Sequence, residues 1–403
     1  MNDGPLHLSP DRVPKPVREV LERLAANGHP SVLVGGCVRD LLEGRTVHDF
    51  DAATPAAPER VLELLPCAVP TGLRHGTVMV PTPAGPVDVT RFRTGPRLFD
   101  DLAHRDFTVN AVAWDPETGT IFDPHDGLAD LRAGRLRAVG SAAERLAEDP
   151  LRALRAARLR AERALEPDAE LRAAMTELGA RVGTVAAERL RSELERILMA
   201  PLAGEGLRLL RETGLEAVLA PGLDARAPAR VDALPPVREE RLAGWLLGSH
   251  ARAILARLRF GHAVGHRVER LLREHPVQAG VDPASAASVR RLLHRVEPLD
   301  LDTLFRLAVV AGHDGAPPAP PELARRAARR AAVARELDAE SRALGREDLA
   351  LDGREVMEVL GCGPGREIGE ALRYLTELVL EDPALNDPET LRARLSGWSG
   401  GRT

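Results

Sequence analysis

The sequence predicts an α+β protein, with an N-terminal head built on a small sheet and an all-α remainder. Residues 1–140 alternate short apolar runs with turns marked by glycine and proline. From Ser141 onward Ala, Leu, Arg and Glu recur at helical spacing. Between the two regimes Asp149-Pro150 forms a helix-start signal, with Asp at the N-cap and Pro at the first helical position.

Along the chain, residues 31–34 (SVLV) read as a strand that ends at the Gly35-Gly36 turn. Residues 49–53 read as a second strand, and side-chain alternation puts Asp49 and Asp51 on one of its faces. Residues 77–80 and 87–92 are two further strands, joined by a Pro/Gly turn at 82–86. Residues 107–113 fit helix or strand, because their apolar period does not choose between them. Residues 186–200 form another strong helix, and GHDGAPPAPP at 312–321 is the clearest linker.

At 403 residues the chain has room for about two or three domains. Its net charge of −5 argues against a uniformly basic nucleic-acid binder, so local placement of charge must carry any such role. Lys15 is the only lysine among 55 basic residues. Arginine's planar fork suits phosphates and base edges, although a GC-rich coding bias is the simpler source of the excess. No apolar run approaches the roughly 18 residues needed to span a bilayer, and MNDGPLHLSP has no signal-peptide core. Cys37, Cys67 and Cys362 are scattered without metal-ligand spacing, which fits a reducing, cytoplasmic setting.

Three segments carry chemistry. The Gly35-Gly36 turn leads into a helix containing Arg39, and glycines let backbone N–H groups approach an anion at a helix start. Asp49-Phe50-Asp51 follows within fifteen residues and offers two carboxylates to hard cations such as Mg2+. By themselves the two aspartates could be a solvated strand end. Asp88 supplies a third carboxylate if its strand pairs beside the first. The second segment, His104-Arg105-Asp106-Phe107-Thr108-Val109-Asn110, sets three polar groups in a small apolar frame that suits a ribose. The third begins at Glu148-Asp149, with Asp149, Arg152 and Arg155 three apart on one helix face and Arg158 beyond them. Asp149 could accept from the exocyclic amine of cytosine or adenine while Arg152 donates to the ring nitrogen. Uracil and guanine would set a carbonyl against the carboxylate and be rejected.

Together GGCVRDLLEG with HDFD, HRDFTVNA, DPHDGLADLRAG, EDPLRALRAARL and AAERLRSELERIL resemble, in that order, the class II tRNA nucleotidyltransferase/poly(A) polymerase family of the polymerase-β-like superfamily. The resemblance implies a nucleotidyltransferase head at 1–140 with a small mixed sheet and a base-recognising helical neck at 141–222. A helical body at 223–315 and a helical, tRNA-binding tail at 316–403 would follow. It implies that Asp49 and Asp51 hold two Mg2+ ions, and Asp88 is the candidate for a third catalytic carboxylate. Arg105 and Asp106 would bind ribose and nearby groups beside Asn110, and Asp149 and Arg152 would template the base. Gly35, Gly36 and Arg39 would hold the triphosphate, assisted by Arg155 and Arg158. In the tail, Gly363, Gly365 and Arg366 would contact the tRNA backbone.

Two departures set the finer expectation. His104 stands where the family commonly has arginine, and the span from Arg93 to Asp101 is much shorter than the flexible loop of CCA-adding relatives. That loop is the family's lever for switching from CTP to ATP, and members lacking it typically add only two cytidines. The expected activity is therefore CC addition to tRNA from CTP, with a separate A-adding enzyme acting on the product. Complete CCA addition, using ATP as well, is the nearest alternative and poly(A) polymerase the next. A non-catalytic RNA-binding relative or a small-molecule nucleotidyltransferase stands further off.

Overall fold

The computed structural model describes residues 8–275, 282, 284–296, 298–311, 328, 331–333, 335 and 349–398, apart from 48, 74, 75 and 94. The chain divides into two compact units, residues 1–222 with 257–259, and residues 223–256 with 260–403. The proposed linker at 312–321, with its His313-Asp314 pair, lies outside the described residues.

Unit 1 begins with a mixed sheet of seven strands: β1 (Val32–Val34), β2 (Phe50–Thr54), β3 (Val69–Gly72), β4 (Thr77–Thr82), β5 (Gly85–Arg91), β6 (Ala113–Trp114) and β7 (Ile121–Phe122). Their spatial order is β3-β4-β5-β2-β1-β6-β7. Only β2 and β5 run parallel; the other neighbours are antiparallel. The parallel register sets Asp51 opposite Asp88. Phe50, Ala52, Val87 and Val89 point the other way into a core with Leu33, Val38, Val78 and Trp114. Alternation thus sends the apolar residues of both strands inward and the acidic ones outward.

Around this sheet lie α1 (Lys15–Ala25), α2 (Gly36–Leu42), α3 (Pro58–Leu64), α4 (Leu98–Leu102) and α5 (Gly127–Arg132). Then come α6 (Ala142–Glu148), α7 (Leu151–Arg163), α8 (Ala169–Leu178), α9 (Ala187–Met199) and α10 (Ala203–Glu212). Strand β3 had no sequence signal because, at the sheet edge, its residues are exposed and show no apolar alternation. Residues 107–113 are neither one helix nor one strand. Phe107 makes an isolated bridge to Ala138, Thr108–Asn110 form a 3-10 turn, and β6 follows. Helix α7 starts one residue later than the sequence predicts, with Pro150 rather than Asp149 at the N-cap; Asp149 ends α6 in an extended conformation, and its carboxylate accepts from the Leu151 N–H at 3.1 Å.

Helix α7 is joined to the head by arginines at both ends. Arg163 donates to Asp40 at 2.7 Å and to Glu43 at 2.9 Å, both beside α2. Arg155 donates to Asp106 at 2.7 Å, and Arg152 to the His104 carbonyl at 3.3 Å. On its other side α7 packs closely on α10. A Cβ at Gly206 would stand 2.7 Å from the Ala157 carbonyl, so glycine is required there.

The regular secondary structure described in unit 2 is all helical. Its C-terminal part packs Val356, Ile368, Leu375, Val379, Leu391 and Leu395 into a separate core. Buried Arg290 closes the end of the helix Arg366–Glu381 by donating to the Leu380 and Glu381 carbonyls. Among the described residues, no helix is long and apolar enough to cross a membrane. The α+β class read from the sequence is the observed one: a mixed-sheet head followed by helices.

Two stability predictions follow from these contacts. A Cβ at Gly127 would sit 2.1 Å from the Thr108 carbonyl, whereas one at Gly134, where φ is +65°, meets nothing within 4 Å. Urea denaturation should show a loss of about 3 kcal/mol for Gly127→Ala and about 1 kcal/mol for Gly134→Ala. Burial alone would raise the Asp106 carboxyl, but Arg155, Asn110 and the Phe107 N–H hold it well below the ordinary range. A depressed folded-state value contributes stability above the unfolded value and loses it as pH falls. Asp106→Asn should therefore cost about 2 kcal/mol near neutrality, with the difference from the parent narrowing in acid.

Candidate active site

A pocket of about 630 Å³ opens between the carboxylate-bearing face of the sheet and helices α7 and α9. Gly35, Gly36, Arg39, Asp49, Asp51, Arg105, Asp106, Asn110, Asp149, Arg152, Arg155 and Arg158 all line it. These residues span more than a hundred positions of sequence and come from both the head and the helices that follow it. Asp88 does not line the pocket; it stands one strand away, in register with Asp51. Gly363, Gly365 and Arg366 belong to unit 2, in the turn between helices Gly353–Leu360 and Arg366–Glu381.

The floor is the β1–α2 turn. Gly35 has φ +76°, a conformation costly for other residues, and its N–H donates to the Val112 carbonyl at 3.1 Å. A Cβ there would lie 2.9 Å from an Arg105 guanidinium nitrogen and 3.9 Å from Asp51. Glycine therefore lets the turn, a carboxylate and an arginine converge. Arg39 is buried and donates to Asn110 Oδ1 at 2.5 Å and to Asp40, so its fork fixes neighbouring groups as well as lining the pocket.

The carboxylates lie close enough to feel one another. Asp51 is raised, first by burial and then by Asp88 and Asp49, against the pull of Arg105. Asp88 is raised by burial and by Asp49. Among the described residues no three His, Cys, Asp or Glu side chains close into a ready cation cage. The set nevertheless fits Mg2+, which typically takes one or two carboxylates together with substrate phosphates and water. Mutual repulsion among the carboxylates is the strain that a divalent cation relieves. Cys37 beside them is buried, and its thiol is pushed up to about 12 by burial and by Asp51, which leaves it unsuited to nucleophilic work.

Asp106 is the central acceptor of the wall. Its Oδ1 accepts from the Phe107 N–H at 2.9 Å and from Asn110 at 3.0 Å, and its Oδ2 accepts from Arg155 at 2.7 Å. Arg155 is raised, foremost by Asp106. Arg158 donates to Glu193 at 3.1 Å, and burial with crowding by Arg155 pushes it down to about 10 against the pull of Glu193. Arg105 is held by buried Asp101, at 3.2 Å and 3.0 Å.

At the helix side, Arg152 is oriented by Glu148 at 2.8 Å and by the Arg145 carbonyl at 2.9 Å. Asp149 pairs with Arg189 at 2.8 Å. Sequence reasoning missed Arg189, Glu193 and Arg196, although AAERLRSELERIL held the signal: Arg189, Glu193 and Arg196 lie at i, i+4 and i+7 on α9. It also missed Arg93 and Asp101 as site residues. Arg93, whose side chain is about half exposed, lines the pocket; partial desolvation there, with repulsion from Arg105 and Arg152, lowers it while Asp101 opposes. Among the described residues the pocket presents eight arginines around five aspartates, a surface for polyanions interrupted by acceptors at fixed places.

The chain is similar to known proteins along most of its length. Residues 31–137 match the family described as "Poly A polymerase head domain", and residues 164–226 match "Probable RNA and SrmB- binding site of polymerase A". The CCA-adding enzyme of Geobacillus stearothermophilus is 33% identical over 93% of this chain and 95% of its own length. That of Anoxybacillus flavithermus is 32% identical over 73% of this chain and 85% of its own. The crystal structure of the Bacillus stearothermophilus CCA-adding enzyme in complex with CTP superposes with a TM-score of 0.78 at 29% identity, covering 95% of this chain and 96% of that one. With a relative of this similarity matched nearly end to end, the chain belongs to the class II tRNA nucleotidyltransferase family, the family of the CCA-adding enzymes.

Proposed function

We propose that this protein rebuilds the complete CCA terminus of tRNA, adding CMP from CTP and then AMP from ATP. The observation that carries this reading is the near end-to-end likeness to a CCA-adding enzyme, together with a pocket that joins carboxylates, an arginine-rich wall and the Asp149–Arg152 pair. CC-only addition remains a second reading, favoured by one observation: Arg93 and Asp101 are separated by a short span that includes the start of α4. The relatives favour complete addition. A chain that adds adenosine with so short a span would have to reset its base-reading pair without a long loop.

Asp49 and Asp51 would hold Mg2+, with Asp88 as a supporting carboxylate. When bound, that metal supplies charge neutralisation at the transferring phosphate and eases deprotonation of the attacking hydroxyl. The protein's own contribution is positioning and electrostatics, which dominate phosphoryl transfer. The Gly35-Gly36 backbone, Arg105, Arg155 and Arg158 would cradle the triphosphate, while Arg39 fixes Asn110. Asp106 and Asn110 would accept and donate at the ribose. Asp149 would accept from the exocyclic amine and Arg152 would donate to the ring acceptor, a pattern shared by cytosine and adenine. Arg189 and Glu148 would hold that pair in place. The 316–403 region, including Gly363, Gly365 and Arg366, would meet the tRNA through its backbone and shape.

The purified protein should extend a tRNA lacking CCA by two cytidines with CTP alone and by CCA with CTP and ATP together. Products that stop at CC with both nucleotides present would establish the second reading instead. Asp49→Ala should reduce incorporation by about a thousandfold or more while leaving tRNA binding nearly unchanged. Asp149→Ala should weaken selection of CTP over UTP by about ten- to a hundredfold, read as a ratio of kcat/KM values. Filter binding of tRNA should show Kd rising about tenfold or more between about 50 and about 200 mM salt.

A further inference from the structure

A closed ring of side chains ties helix α7 to the head, and it begins and ends on that helix. Arg163 Nη2 donates to Asp40 Oδ1 at 2.7 Å, and the same oxygen accepts from Arg39 Nε at 3.1 Å and Nη2 at 3.0 Å. Arg39 Nη1 donates to Asn110, and Asn110 donates to Asp106. Arg155 then closes the ring by donating to Asp106 from α7 itself. Arg39, Asn110 and Asp106 are all buried. Glu43 accepts from the other arm of Arg163, at 2.9 Å.

An arginine in the last turn of a helix ordinarily serves the helix itself, by meeting its final carbonyls or its dipole. Arg163 stands in that turn, but among the described residues it donates to no carbonyl of α7. Its side chain is only 10% exposed, and its two carboxylate partners lie 120 and 123 positions earlier in the chain. Its Nε is buried without an acceptor, so Asp40 and Glu43 are what offset the desolvation of the guanidinium. Arg163 does not line the nucleotide pocket, and no step described so far uses it as a determinant of nucleotide choice.

We propose that Arg163 is a positioning residue for base selection: clamped to Asp40 and Glu43, it sets the tilt of α7 at which Arg152 meets the base. The inference rests on the nucleotidyltransferase reading and adds to it a determinant of nucleotide choice outside the pocket. About 12 Å of helix separates Arg163 from the Arg155 contact, and about 4.5 Å separates Arg155 from Arg152. With Arg155–Asp106 as the pivot, a relaxation of about 1 Å at the clamp moves Arg152 by about 0.4 Å. Recognition groups must be held to within about 0.5 Å, so the clamp acts on the scale that matters for the base contact. Close packing of Gly206 against the Ala157 carbonyl keeps the tilt small. Arg155 at the pivot and the Gly35-Gly36 backbone on the head stay in place, so the change falls on the base rather than on the triphosphate.

The test compares the parent with Arg163→Met, Arg163→Lys and Glu43→Gln as full-length proteins, with urea melts to follow folding. Arg163→Met should reduce the preference for CTP over UTP about five- to tenfold, both as a ratio of Kd values and as a ratio of kcat/KM values on tRNA lacking CCA. Inhibition by pyrophosphate should be unchanged. Arg163→Lys keeps the charge without the two-armed fork and should lose about threefold or less. Glu43→Gln should cost about twofold alone and nothing further in Arg163→Met, because both act through one contact. Unchanged preference in folded Arg163→Met, equal losses for CTP and UTP, or full additivity with Glu43→Gln would overturn the proposal. Should Arg163→Met not fold, parental preference in both Arg163→Lys and Glu43→Gln would overturn it. A parent protein that transfers no nucleotide to tRNA fails the functional reading, while the Kd ratio still decides the clamp.

Discussion

Asp106 is the group on which the site's geometry depends. Its two carboxylate oxygens receive donors from three directions: the Phe107 backbone, Asn110 and Arg155. Asn110 in turn accepts from Arg39 on α2, so one buried anion connects the glycine turn, the 3-10 turn and helix α7. Charge-assisted hydrogen bonds of this kind are stronger than neutral ones and impose direction. In a buried setting a missing partner is costly, which favours a single arrangement of the whole group.

From that constraint the rest of the pocket follows. With α7 fixed to the head at Asp106 and again at Asp40 and Glu43, the start of α7 faces the sheet. Asp149 and Arg152 are then brought over the same space as Asp49 and Asp51, although about a hundred residues separate them in sequence. Further ion pairs tune these side chains: Glu148 with Arg152, Arg189 with Asp149, Glu193 with Arg158 and Asp101 with Arg105. Each pocket arginine so paired is oriented before a ligand arrives, which lowers the ordering cost of binding.

A net charge of −5 is compatible with polyanionic substrates because charge is segregated. Among the described residues, eight arginines converge on one pocket. Acidic residues at the site serve as acceptors at defined points or as anchors for those arginines. The mean charge of the chain therefore says little about the field inside the pocket.

The sequence alone determined the elements with strong local periodicity or punctuation. These are the four principal strands, the Gly35-Gly36 turn and the helical character after Ser141. It also determined most pocket residues, because they cluster in short polar motifs set against apolar frames. Edge strand β3 was illegible because exposure erases its alternation, and residues 107–113 were ambiguous because they bridge, turn and pair within seven positions. Arg93, Asp101, Arg189 and Glu193 gained their meaning only in three dimensions. Each acts through a partner distant in sequence or on a neighbouring element, and an ion pair across elements has no period to read.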